Sequence, residues 1–275
     1  MRRRRGFTLV ELPVVSGRKR AAFTLVELLV VIGIIALLIA ILMPALNKAR
    51  QQALTVKCGS NLHNMGIAMT MYTQQYGAYP GHASIVAGTT AAIWPTRLRL
   101  YTNKDQGIWH CPAQDDGFEW PRIIGGGGAT AGGADSVFGY DTGEVVLVVN
   151  AAPSCYGYND WGTAPPTGDS REQRGLGGDI KPLAFAVSEV RVSQVKSASD
   201  MIAIADSTSD NSWDWNIDPL QQDQWPGKIH NKGSNVLYCD GHVEWHTQVE
   251  LITLTAGGRP TVMASKWNNN NRPYP

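Results

Sequence analysis

Charge is scarce in this chain. Only 17% of its 275 residues are Asp, Glu, Lys or Arg, and the formal net charge is +1. A broad basic surface for nucleic acid is therefore disfavoured, because neutralising phosphates takes Lys and Arg in clustered excess. Cysteine is scarce too. Cys58, Cys111, Cys155 and Cys239 never stand in pairs two to four residues apart, which argues against a zinc-finger type of ligand set. No Gly-x-Ser-x-Gly elbow, His-Glu-x-x-His helix or dinucleotide fingerprint occurs. Gly125 to Gly128 with Gly132-Gly133 lack the Lys-Ser/Thr of a phosphate-binding loop and read as a flexible connection. No catalytic residues are assigned, and the chain does not read as an enzyme.

The most consequential absence is local. From Leu28 to Met43 there is no polar side chain at all. A helix crosses a bilayer with about 20 mostly apolar residues, and Leu25 to Leu46 supplies that length. One acid, Glu27, stands near the start of the run, where a carboxylate is costly in lipid and marks a functional residue. Arg2 to Arg5 and Arg18-Lys19-Arg20 precede the span, and only Lys48, Arg50 and Lys57 follow closely. The positive-inside rule keeps the leader in the cytoplasm and sends the C-terminal bulk out of it. A secretory signal would place small residues after its apolar core. An uncleaved signal anchor explains the span but leaves Glu27 without a role.

Helical periodicity continues past the span. Leu46, Ala49, Ala53, Val56, then Met65, Ala68, Met69 and Tyr72 recur at three- and four-residue steps, opposite Lys48, Arg50, Gln51 and Lys57. Gly77 follows as a stop signal. The spacing predicts one helix from about Thr24 to Gln75, roughly 75–80 Å long, whose outer half must pack on a globular domain. In that domain Glu144 to Val149, Leu183 to Val192 and Met201 to Ala205 read as strands. Asn235 to Cys239 and His242 to His246, joined by Asp240-Gly241, read as a hairpin.

Phe23-Thr24-Leu25-Val26-Glu27-Leu28 resembles the processing motif of type IV prepilins and type II secretion pseudopilins. The resemblance implies that a prepilin peptidase cuts between Ala22 and Phe23 and that the new amine is methylated. Counted from Phe23, the family's fifth-residue acid is Glu27 and its helix-bending proline at the twenty-second position is Pro44. The family prefers Gly before the cut. The alternative copy, Gly6-Phe7-Thr8-Leu9-Val10-Glu11, has it, but runs into Pro13 and the Arg18 to Arg20 cations and puts Leu28 where the proline belongs. Pro44 lacks an N–H and would bend or locally melt the helix. Glu27, paired with a neighbouring subunit's terminal ammonium, would set axial register.

A second resemblance lies at the far end. His230, nine residues, then Asp240-Gly241 match the signature of a large bacterial group of pseudopilin-like proteins, the H-X9-DG group. Lys57 to Gly66, Trp109-His110-Cys111-Pro112 and Tyr156-Gly157-Tyr158-Asn159 are similar to the same group. The fold these resemblances imply is α+β and pilin-like: one long N-terminal helix, half transmembrane, packed on an antiparallel β-sheet head with long loops. Expected segments are a leader (1–22), the helix (23–76, transmembrane half 25–46), an extracytoplasmic head (77–267) and a disordered tail (268–275). The implied function is a structural subunit of a type II secretion pseudopilus or type IV pilus-like filament at the cytoplasmic (inner) membrane. Its partners would be the prepilin peptidase, other pilin-like subunits and membrane lipid, without nucleic acid. The alternative is a membrane-tethered envelope module that binds glycan or protein.

Cleavage after Ala22 removes seven cations and the single acid Glu11, so 24 basic and 23 acidic residues become 17 and 22. Arg97 and Arg99 are the candidates for a residual local basic patch. Four cysteines outside the cytoplasm permit disulfides, with Cys111–Cys155 favoured among three pairings. Asp206 and Asp210, continued by Asp214 and Asp218, are candidate calcium ligands on an oxygen-rich loop. His242, Glu244 and His246 alternate on one strand and, with His230 or Asp240, are candidates for a divalent metal. Trp213 and Trp215 flank Asp214 and could stack on sugar rings.

Overall fold

The computed structural model describes residues 24–82, 85–86, 89–90, 94–105, 107–114, 139–143, 154–160, 175–177, 189–208 and 215–272. Glu144 to Val149, read as a strand, lie outside the described residues. Two compact units divide the chain, residues 1–48 and 49–275.

One helix, α1 (Leu25–Tyr76), spans 52 residues and contains Pro44 without ending there. Its first half, through Arg50, is exposed side chain by side chain, as an apolar stretch meant for lipid would be. It stops where Gly77 takes φ +70°, a left-handed conformation that glycine adopts without the Cβ penalty of other residues.

The second unit buries one stripe of α1: Cys58, Leu62, Met65, Met69 and Tyr72. This differs from the predicted stripe at its start. Val56 is 72% exposed, because two residues from Cys58 is about 200° around a helix, the opposite face.

A two-residue ladder, β1 (Ile85–Val86) with β2 (Thr89–Thr90), precedes the short helix α2 (Trp94–Leu98). The main sheet holds β3 (Tyr156–Asn159), β4 (Ile202–Asp206), β5 (Asn216–Ile217), β6 (Gly233–Tyr238) and β7 (Val243–Thr247) in the order β5-β3-β4-β6-β7. Its pairs are antiparallel except β3–β5. The helix α3 (Gln248–Ile252), the ladder of β8 (Thr255–Ala256) with β9 (Arg259–Pro260), and α4 (Val262–Lys266) complete the chain. A long N-terminal helix and a five-stranded sheet give the α+β, pilin-like arrangement that the sequence predicts.

The sheet is covered on both faces. Trp94, Tyr158, Ile204 and Leu237 belong to the core cluster that contains the α1 stripe. Ile202, Ala205, Val236 and Tyr238 pack with Leu251, Met263 and Trp267 of the other layer. A register shift between Ile202 and Ile204 puts Ala203 and Ile204 into the same cluster, as a bulge does by breaking the two-residue alternation.

Three expectations are corrected. Over Leu183 to Val192 the described part is no strand: Arg191 makes an isolated bridge to Ala78, and Val192–Gln194 form a 3-10 turn. The Gln194 side chain accepts the Arg191 N–H and closes that turn. The tail is held through Arg272, because the buried Asn268 amide donates to Ala264 and Arg272 carbonyls and Asn269 O accepts from Lys196 N. The disulfide joins Cys58 to Cys111, Cα atoms 5.3 Å apart, while Cys155 is a buried thiol outside that bond. The inward stripe of α1 carries Cys58 to Cys111.

Candidate functional site

The N-terminus of α1 is built by two residues. The Glu27 carboxylate accepts from the Thr24 N–H at 2.9 Å and from its hydroxyl at 2.8 Å, and Glu27 N–H donates to Thr24 Oγ1 at 3.2 Å. This is a capping box, in which two helix-start donors that would otherwise be orphaned satisfy each other's side chains. Sequence reasoning gave Glu27 a role between subunits and overlooked this one, although Thr-x-x-Glu before an apolar run is its signature.

The signature residues of the head converge on α1. His230 N–H and C=O both pair with Gly233, and its carbonyl also accepts Trp245 Nε1 at 2.9 Å, so His230 does bond to the hairpin β6–β7. Its ring enters the interior, with Nδ1 3.2 Å from Thr55 Oγ1 on α1. At the other end of the signature, Gly241 closes the hairpin with φ +95° and donates to Tyr238 O at 2.9 Å. Gly241 O lies 3.3 Å from His63 Nδ1, again on α1. The signature thus seats β6 on the helix at both ends.

The ring of His230 has fully buried neighbours. Its Nε2 is 3.4 Å from Cys111 Sγ and 3.5 Å from Asp206 Oδ2. Asp206 Oδ2 also accepts the Asn235 N–H at 2.6 Å, whereas Asp206 Oδ1 is buried without a hydrogen-bond partner. The Thr55 hydroxyl donates to Gln51 O at 2.9 Å. Its one proton is thereby used, so toward His230 it accepts, and His230 Nδ1 carries the hydrogen. Nε2 faces Asp206 and Cys111.

Residues 17–43 match the family described as the prokaryotic N-terminal methylation motif. The chain carries a prepilin-type N-terminus. No curated protein and no solved structure matches the chain significantly. A prepilin-type N-terminus implies processing by a peptidase and assembly with other pilin-like subunits. Together with an apolar helix long enough to cross a bilayer, it makes this a membrane-anchored, single-pass protein.

Of the residues around this prepilin-type motif, Glu27 and Pro44 lie within α1, while Ala22, Phe23 and the alternative Gly6 and Phe7 lie outside the described residues. Asp206 is the last residue of β4, with its Oδ2 on the Asn235 N–H and near His230 Nε2 instead of in an oxygen-rich loop, and Asp210 lies outside the described residues. His242, Glu244 and His246 make pairwise contacts, with His246 Nε2 3.1 Å from Glu244 Oε2 and His242 paired to Asp240, but they do not converge on one point as metal ligands would. His230 is buried instead and does not join that exposed group.

Two surface readings are corrected. Arg97 and Arg99 are buried, with Arg97 paired to Glu189, and form no basic patch. Trp215 is buried and its carbonyl accepts from Trp94 Nε1 and Tyr158 N, so it cannot stack on a sugar; Trp213 lies outside the described residues. Long cationic and aromatic side chains look like surface tools in a sequence, but their large apolar parts are equally suited to a core.

Proposed function

We propose that this protein is a structural subunit of a type II secretion pseudopilus or a type IV pilus-like filament. A prepilin peptidase cuts between Ala22 and Phe23, leaving Glu27 fifth and Pro44 twenty-second in the mature chain. The observation that carries the reading is the methylation-motif match over residues 17–43 on a helix whose apolar side chains are exposed. The cationic leader stays in the cytoplasm, the anchor holds the subunit in the inner membrane, and the head lies outside.

Glu27 then serves twice. Within the chain it caps α1; between chains its charge meets the methylated amine of a neighbour's Phe23 and fixes register. In lipid such a charge needs a partner, and a second subunit supplies one. Glu27→Gln separates the roles, because the amide keeps an oxygen for Thr24 and loses the charge. Cleavage should proceed in that variant while filaments, counted by electron microscopy or shearing, are lost. Normal filaments from Glu27→Gln would remove the register role.

A further inference from the structure

We propose that Cys58, Cys111, His230 and Asp206 form a site for a zinc-class divalent ion when the Cys58–Cys111 bond is reduced. One ligand atom each from Cys58, Cys111 and His230 already lie within 4.8 Å of one another. In a tetrahedron with metal–ligand bonds of about 2.0–2.3 Å, the edges between ligand atoms measure about 3.3–3.8 Å. The distances from His230 Nε2 to Cys111 Sγ, 3.4 Å, and to Asp206 Oδ2, 3.5 Å, are such edges.

The protonation pattern fits the same assignment. Thr55 holds the hydrogen on Nδ1, as the outer partner of a metal-bound imidazole does, so Nε2 offers its lone pair to the interior. The Asp206 oxygen 3.5 Å from Nε2 is the one that also accepts the Asn235 N–H, and the other oxygen of that carboxylate is buried without a partner. A buried imidazole lone pair beside a carboxylate is favourably placed for a bound cation. Two sulfurs, an imidazole and a carboxylate suit zinc and its relatives rather than calcium. The four residues come from α1, the turn at Cys111, β4 and the segment before β6, which is why sequence spacing argued against zinc. His230 also lines a cleft of about 420 Å³ with Thr55, Ala113, Lys228 and Lys232.

The bond opens at the expense of a dithiol, which is oxidised to its own disulfide and delivers two electrons and two protons. Cys58 and Cys111 become thiols, and the entering ion displaces both protons to bind two thiolates. Crosslink and metal are therefore mutually exclusive states of one site.

The test uses the full chain in detergent, reduced with a dithiol that is then removed under argon, and titrated with cobalt(II) alone. The reduced protein should bind one cobalt per chain with a thiolate-to-cobalt charge-transfer band that zinc abolishes, and the oxidised protein should show none. His230→Gln should weaken binding at least tenfold and Asp206→Asn by about ten- to a hundredfold, while Cys155→Ser/Cys239→Ser leaves the band unchanged. No charge-transfer band in the reduced wild-type protein, which requires no variant to fold, would overturn the site. So would a band that survives Cys58→Ser/Cys111→Ser or is indifferent to His230→Gln.

Discussion

A Cβ on Gly66 of α1 would lie 3.2 Å from the Cα of Gly241, at the tip of the β6–β7 hairpin, and 2.8 Å from Leu237 Cδ1. The helix and the hairpin turn approach so closely here that a larger residue must displace Leu237 and press on the turn. Leu237 can yield by rotating, but the Gly241 backbone cannot do so without moving the turn. Gly66→Val is expected to destabilise the head by about 1–3 kcal/mol through overpacking, read as a lower midpoint in denaturant with an unchanged slope. An unchanged midpoint would mean that the hairpin is not pressed against α1 at this point.

Arg97 is buried and pairs with Glu189, whose carboxylate also accepts from the Tyr72 hydroxyl and the Gly81 N–H. Burial pushes the Tyr72 phenol up to about 12, so it remains a donor at any ordinary pH. Arg97→Met leaves Glu189 without its countercharge and should cost about 3 kcal/mol. Arg97→Met/Glu189→Gln should recover part of that loss. A double variant as unstable as the sum of the two single ones would show that the pair is not coupled.

His82 supplies a pH dependence. Burial holds its imidazole down at about 4, below the ordinary 6.5. The unfolded chain therefore takes up a proton that the folded chain refuses as pH falls from about 6.5 to 4. Stability from this group is fully present above 6.5 and is lost as pH falls toward 4, by up to about 3 kcal/mol. Denaturant midpoints measured between pH 7 and 4 should fall, and His82→Gln should flatten that limb. An equally steep fall in the variant would assign the dependence to other groups.

Elements whose signals are local were legible in the sequence. The end of α1 at Gly77 and the turn at Asp240-Gly241 each depend on a glycine with positive φ, a requirement met within a few residues. The phase of the α1 stripe was misread near Val56, because Val56 and Cys58 both look apolar in sequence although they lie on opposite faces of the helix and only Cys58 is buried. Tyr156–Asn159 forms a central strand but is short and carries polar Asn159, whose amide donates to the Ile202 and Trp267 carbonyls across the core. Such a residue looks external until its partners are known. The cluster around His230 was illegible for the same reason: four elements supply it, and only packing brings Asp206 and Cys111 to one imidazole nitrogen. The capping role of Glu27 could have been read from Thr24-x-x-Glu27 alone.

The central claim is that this chain becomes a filament subunit by losing its leader at one bond. The most direct measurement is the N-terminal residue of the protein isolated from membranes, by mass spectrometry, with and without an active prepilin peptidase. The account predicts N-methylated Phe23 with the peptidase and the uncut leader without it. An uncut leader in both, or a methylated Phe7 ahead of the Arg18-Lys19-Arg20 cluster, would contradict it.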